Sequence, residues 1–215
     1  MTDVAANSES VAFASAPALT VGVRELAKMA QVSPGTVSKI LPVLVADGAV
    51  VRDSHGYITA VNRRQLLDRW TIDYHVLESN GTPAYFVAPR GIAAILTKLK
   101  AAADEALTGA QAGSLWLPEG IVPLVPVTQL VIYTTSTDKS ASHLGLVPVD
   151  APAANVILIQ PQDPAIIDDP MRKKDIPVAP LPLVLADLLT LPGRYPQQAE
   201  ALMDALAKTD PAWKS

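Results

Sequence analysis

Val23-Arg-Glu-Leu-Ala-Lys-Met-Ala-Gln-Val-Ser-Pro-Gly-Thr-Val-Ser-Lys-Ile-Leu41 places two short helical stretches on either side of a tight joint. In the first, Val23, Leu26, Ala27 and Ala30 recur at the spacing of one helical face. Gln31-Val32 breaks the pattern. Ser33 then has the chemistry of an N-cap, and Pro34 stands at the first helical position, where its missing N–H removes no helical bond. Val37, Ile40, Leu41, Leu44 and Val45 continue an apolar face, and Gly48 after Asp47 is a C-terminal stop. Pro42 lies inside this second helix, where proline typically costs about 3 kcal/mol, so a kink or an early stop is expected there.

Working outward, Ala49-Val-Val-Arg52 and Tyr57-Ile-Thr-Ala-Val61 have strand composition, and Asp53-Ser-His-Gly56 between them has turn chemistry. A hairpin follows from that. Asn62 with Gln65 three residues on forms a capping box, and Leu66, Leu67 and Trp70 continue at helical spacing. The order helix, turn, helix, hairpin, helix is the plan of a winged helix-turn-helix, running from about Leu19 to Val61 with a supporting helix beyond. Residues 1–10 read as a loose tail, Val11 to Ala16 as a short helix stopped by Pro17, and residues 11–77 as the first domain.

The remainder has a different texture. Glu78-Ser-Asn-Gly-Thr-Pro83 is a loop at which a second domain, residues 84–215, is expected to begin. Strands are expected at 84–88, 130–134 and 155–159, and helices at 91–107, 183–191 and 196–207, the last two separated by Pro192-Gly193. The fold class is therefore α+β, an N-terminal winged helix-turn-helix followed by a mixed α/β domain.

Composition narrows the function. The 215 residues are 49% hydrophobic, enough for two cores, and contain no cysteine, which excludes disulfides, thiolate metal sites and a cysteine nucleophile. No apolar run reaches the roughly 18–20 residues that span a bilayer, and the N-terminus lacks a basic leader, so a cytoplasmic location is expected. The net charge of −4 is unevenly spread. Between Gly22 and Trp70, seven basic residues face four acidic ones, a local +3 that leaves −7 elsewhere. Positive charge is gathered where a phosphate backbone would lie.

A helix that enters the major groove needs small or hydrogen-bonding residues at its exposed N-terminal end. Ser33, Gly35, Thr36, Ser38 and Lys39 meet that need. Arg52 and His55 fall on the wing, and Arg24 and Lys28 on the supporting helix, where contacts to phosphate position the protein without reading sequence. The expected partner is double-stranded DNA, an inverted-repeat operator bound by two copies. No catalytic constellation is found: His55, His75 and His143 lack metal-ligand spacing, and there is no phosphate-cradling loop or nucleophile elbow. Gly113-Ser114 lacks the Asp-x-Asp of a nucleotidyltransferase, Asp168-Asp169 is read as a solvated turn, and Arg172-Lys-Lys174 as an exposed loop. Neither an enzyme nor a cofactor is expected. Asp187, Gly193 and Arg194 are read as structural, with Asp187 satisfying backbone or Arg194.

The stretch from Val23 to Leu41, with Ala46-Asp-Gly-Ala-Val-Val-Arg52, resembles the winged domains of bacterial regulators of the MarR and IclR kind. Together with Tyr85-Phe-Val-Ala-Pro-Arg-Gly91, Ala154-Asn-Val-Ile-Leu158, Ala186-Asp-Leu-Leu-Thr-Leu-Pro-Gly-Arg194 and Gln198-Ala-Glu-Ala-Leu202, it is similar to the AbiEi-like antitoxins of bacterial abortive-infection systems. That resemblance implies an autoregulatory repressor that is the antitoxin of a type IV pair, with a nucleotidyltransferase-like toxin as partner. Two other classes fit the residues: a ligand-responsive regulator with a sensing C-terminal domain, and a winged-helix protein-interaction module.

Overall fold

The computed structural model describes residues 21–121, 123, 126–168 and 170–214. The tail expected at 1–10, the short helix at 11–16, Leu19 and Asp169 lie outside the described residues. The chain is mixed α+β and divides into two compact units, one reaching to Arg69 and joined by Met203 onward, the other running from Trp70 to Leu202. The division falls earlier than the loop at 78–83, and the final residues group with the first unit.

In the first unit, α1 (Val23–Met29) and α2 (Pro34–Ala46) precede a hairpin of β1 (Val50–Arg52) and β2 (Ile58–Val61), and α3 (Arg63–Thr71) follows. An isolated bridge between Val21 and Ile58 adds a third short extended segment to the hairpin. Leu41, Val50 and Ile58 form the core, with Val23, Leu26, Leu44, Val61 and Leu66 packed against it. Ser33 caps α2 as expected, its Oγ accepting from the Thr36 backbone N–H at 3.0 Å. Asn62 Oδ1 accepts from the Gln65 N–H at 3.1 Å, but the Asn62 N–H donates to Ala49 O, so only one arm of the capping box is made.

Two expectations for these helices are corrected. α2 makes no early stop at Pro42 but continues to Ala46, because Pro42 faces outward and the core contacts of Leu41 and Leu44 hold both flanking turns. The apolar face is also narrower than its spacing suggested. Val37 and Leu41 are buried, whereas Ile40 and Val45 are 50% and 39% exposed and Ala30 faces solvent. A core this small seats only one ridge of each helix.

The last residues complete this unit. Arg64 pairs with Asp204 and donates from Nε to the Trp213 carbonyl at 2.7 Å. Arg63 pairs with Asp210 and lies 5.3 Å from the centre of the buried Trp213 ring. These bonds explain why the C-terminus is grouped here.

The second unit is built on a seven-stranded mixed sheet in the order β6-β3-β7-β5-β4-β9-β8. The strands are β3 (Ala84–Val87), β4 (Glu105–Thr108), β5 (Leu130–Thr134), β6 (Val147–Pro148), β7 (Val156–Ile159), β8 (Met171–Lys173) and β9 (Ile176–Val178). Every residue of β4, β5 and β7 is buried, as expected for central strands covered on both faces. The helices are α4 (Ile92–Leu99), α5 (Gly109–Trp116), α6 (Thr137–Leu144), α7 (Ala165–Asp168), α8 (Leu181–Thr190) and α9 (Tyr195–Leu206). Among the described residues no helix is long and apolar enough to cross a membrane.

The helix expected over 91–107 ends at Leu99, and its last part is β4. Glu105 to Thr108 pairs along its whole length with β5, and that ladder outweighs the helical propensity of Glu-Ala-Leu. Arg172-Lys-Lys174 is likewise no free loop. Arg172 and Lys173 lie in β8, and Arg172 donates to the carbonyls of Lys100, Ala102 and Asp175. Gly113 is a packing residue, since a Cβ there would meet Leu188 Cδ1 at 3.0 Å.

The orientation of α2 is open to test by chemical denaturation. Leu41→Ala should cost about 2–5 kcal/mol of stability, as large-to-small core changes do, whereas Ile40→Ala should cost under about 1 kcal/mol.

Candidate nucleic-acid interface

Turning Val37 and Leu41 inward leaves Ser33, Gly35, Thr36, Ser38 and Lys39 on solvent, along with Pro42 and Val43. Lys39 is the one cation on α2. Ser33 and Thr36 are partly committed to each other, their hydroxyls lying 2.9 Å apart, so Ser33 organises the helix end more than it offers a free group. At Gly35 an added Cβ would meet only Ser33 Oγ, at an ordinary 3.5 Å. Packing therefore does not require a glycine there. Its effect is to keep the surface low at the tip of α2.

Arg24 and Lys28 stand one turn apart on the exposed side of α1. On the hairpin, the turn is tightly bonded. Asp53 Oδ1 accepts from the N–H groups of His55 and Tyr57, each at 2.9 Å, and the Asp53 N–H donates to Tyr57 O at 2.9 Å. Gly56 adopts φ +87°, a backbone favouring glycine. Arg52 donates from Nε and Nη2 to the Gly56 carbonyl at 2.9 and 2.7 Å. Its guanidinium thus closes the turn while remaining exposed, and His55 sits exposed at the tip. All nine expected residues are on the surface of the first unit.

Val43, 44% exposed, follows Thr36 and Lys39 at helical spacing and continues the exposed face of α2. Arg63 and Arg64 supply part of the positive charge near the hairpin but are paired with Asp210 and Asp204. Arg69 likewise has Asp47 at 3.7 Å. The exposed cations on α1, α2 and the hairpin are Arg24, Lys28, Lys39 and Arg52.

The second unit contains a buried polar cluster. Asp187, fully buried on α8, accepts from Tyr74 Oη at 2.6 Å, Thr108 Oγ1 at 2.5 Å and Tyr133 Oη at 2.9 Å. Its partners are these hydroxyls, and not the backbone or Arg194 expected from sequence. Burial pushes the Asp187 carboxyl up to about 6, and the three hydroxyls hold it from rising further. The phenols of Tyr74 and Tyr133 are raised well above the usual tyrosine range, by burial first and by the Asp187 charge second. Asn80 extends the cluster, donating to Tyr74 Oη and to Val76 O. The hydroxyls come from β4, β5 and the chain before β3, so the cluster clasps strands to α8. Among the described residues no three His, Asp or Glu side chains form a metal-holding group.

Comparison with models of known families, with characterised proteins and with solved structures yields no match.

The clasp has a pH signature. Below pH about 4 Asp187 is protonated whether the chain is folded or not, its ordinary pKa being 3.8. Between that value and about 6 only the unfolded chain loses the proton, so this group's contribution to stability falls as pH rises through the window. The loss is roughly 3 kcal/mol, at about 1.4 kcal/mol per pKa unit. Thermal melts across pH 4 to 8 should show the wild type losing stability relative to Asp187→Asn. Parallel curves would remove Asp187 as the titrating group.

Proposed function

We propose that the first unit is a winged helix-turn-helix that binds double-stranded DNA sequence-specifically, and that the protein is an autoregulatory transcriptional repressor. The observation that carries this reading is the exposed tip of α2, with Gly35 and Lys39 bare of intramolecular packing between two further cationic elements. A groove-entering helix needs a low, polar tip and flanking cations for the backbone on either side. Arg24 and Lys28 would contact phosphates from α1, Arg52 and His55 from the wing. Ser33, Thr36, Ser38 and Lys39 would face base edges. The binding target is an inverted-repeat operator met by two copies, in a cytoplasmic setting.

The reading extends to the antitoxin half of a type IV pair, with a nucleotidyltransferase-like toxin as partner. Its support is the ordered likeness from Tyr85 to Leu202. Co-expression with a toxin gene encoded beside it should restore growth if this extension holds, and growth arrest unchanged by the protein would refute it.

Gly35→Ala separates recognition from folding. Alanine is favoured over glycine in helices by about 0.5–1 kcal/mol, so the variant should melt no lower than wild type. Fluorescence anisotropy against the protein's own upstream DNA should nevertheless show binding weakened tenfold or more. Lys39→Ala should weaken binding and lower the salt slope by about 1 if it contacts phosphate, or relax sequence preference if it reads a base. Equal affinity for upstream and scrambled DNA at low salt would refute operator recognition.

A further inference from the structure

The second unit holds a small hollow that the reading above does not use. It has a volume of 220 Å³ and is lined by Pro89, Arg90, Ala94, Ile95, Lys98, Leu144 and Gly145. These residues come from the start and inner face of α4 and from the end of α6. Two features set the hollow apart. Its lining includes two cations and no carboxylate, in a unit that carries thirteen acidic residues against eight basic ones between Trp70 and Leu202. Its remaining walls are apolar.

The two cations are differently held. Lys98 Nζ donates to the carbonyls of His143 and Leu144, at 3.0 and 2.8 Å, at the C-terminal end of α6. Those bonds fix the ammonium at the rim and use two of its three N–H groups. Gly145, in the left-handed region at φ +73°, leaves the space that keeps this geometry open, since a Cβ there would come within 3.3 Å of Nζ. Arg90 is exposed and makes no ion pair among the described residues, so its planar donors are available to a carboxylate. The buried Ile95 and Leu144 supply a greasy floor beneath.

We propose that this hollow binds a small monocarboxylate with a compact apolar tail, its carboxylate on Arg90 and Lys98 and its tail against Ile95 and Leu144. The volume lies below the roughly 300–1,000 Å³ of drug-sized sites, which restricts the ligand to a few carbons or one ring. An apolar floor with two cations in the same lining discriminates against both neutral isosteres and hydrophilic anions: an amide leaves the cations unpaired, and phosphate leaves the floor uncovered.

The test is NMR titration of the full chain with benzoate, butyrate, butyramide and inorganic phosphate, following the Ile95 and Leu144 methyls. Benzoate or butyrate should shift these signals saturably, with butyramide and phosphate at least tenfold weaker. Arg90→Gln, an exposed change that leaves the fold intact, should weaken the acids at least tenfold without altering the melting temperature. Ala94→Leu, which fills the hollow from one wall, should abolish the shifts. Absence of saturable shifts, equal binding of acid and amide, equal binding of phosphate, or acid binding unaffected by either variant would each overturn the assignment. None of these outcomes depends on whether the first unit binds DNA.

Discussion

Everything the first unit can present to a partner depends on the contact of Leu41 with Val50 and Ile58. Those three side chains fix the rotation of α2 about its own axis relative to the hairpin. A helix has no preferred outer face until something holds one side down. With Leu41 and Val37 down, Gly35 and Lys39 are necessarily up, because they stand on the opposite side of a 3.6-residue turn. Rotating α2 by one residue would bury Pro42 and expose Leu41. The core is small, yet it decides the chemistry of the surface.

Charge in this unit is sorted by a second constraint. Arg63 and Arg64 are adjacent to the hairpin in sequence and would naively add to a basic face. The residues from Met203 onward remove them from it, through Asp204, Asp210 and the Trp213 carbonyl. Arg64 is held by a charge-assisted bond to a backbone oxygen as well as by its ion pair, which ties the C-terminus to α3 by geometry and not by charge alone. What remains positive lies on α1, the tip of α2 and the hairpin. The face thus owes its pattern to a segment about 140 residues away, as the separation of Arg64 from Asp204 records.

The elements of the first unit were legible in the sequence because their determinants are local. Ser33-Pro34, Asn62 with Gln65, and the turn from Asp53 to Gly56 each act within a few residues. What escaped was whatever depends on distant partners. The exposure of Ile40 and Val45 follows from how little core the hairpin offers, which no helical spacing encodes. In the second unit, Glu105-Ala-Leu-Thr108 has helical composition and becomes a strand because β5 and β9 flank it. Short β8 and β9 share the same difficulty, since three residues carry no period. Of the candidate interface, the surface positions were legible, whereas the commitment of Arg52 to Gly56 O was not.

The same logic explains why the buried carboxylate was misread. Asp187 sits in Ala186-Asp-Leu-Leu, where the sequence suggests a partner in the backbone or in Arg194. Instead α8 is buried from Leu183 to Leu188, so the acid has no solvent-facing option. An unpaired charge there would be expensive, and among the described residues no cation is paired with it. The sheet answers with hydroxyls from β4 and β5, Thr108 and Tyr133, and the chain before β3 adds Tyr74. Burial lifts the carboxyl, and three neutral donors that favour its charged form offset only part of that rise, so it sits near 6. Such a group fixes strand-to-helix register by hydrogen-bond geometry, and its cost in stability is set by pH.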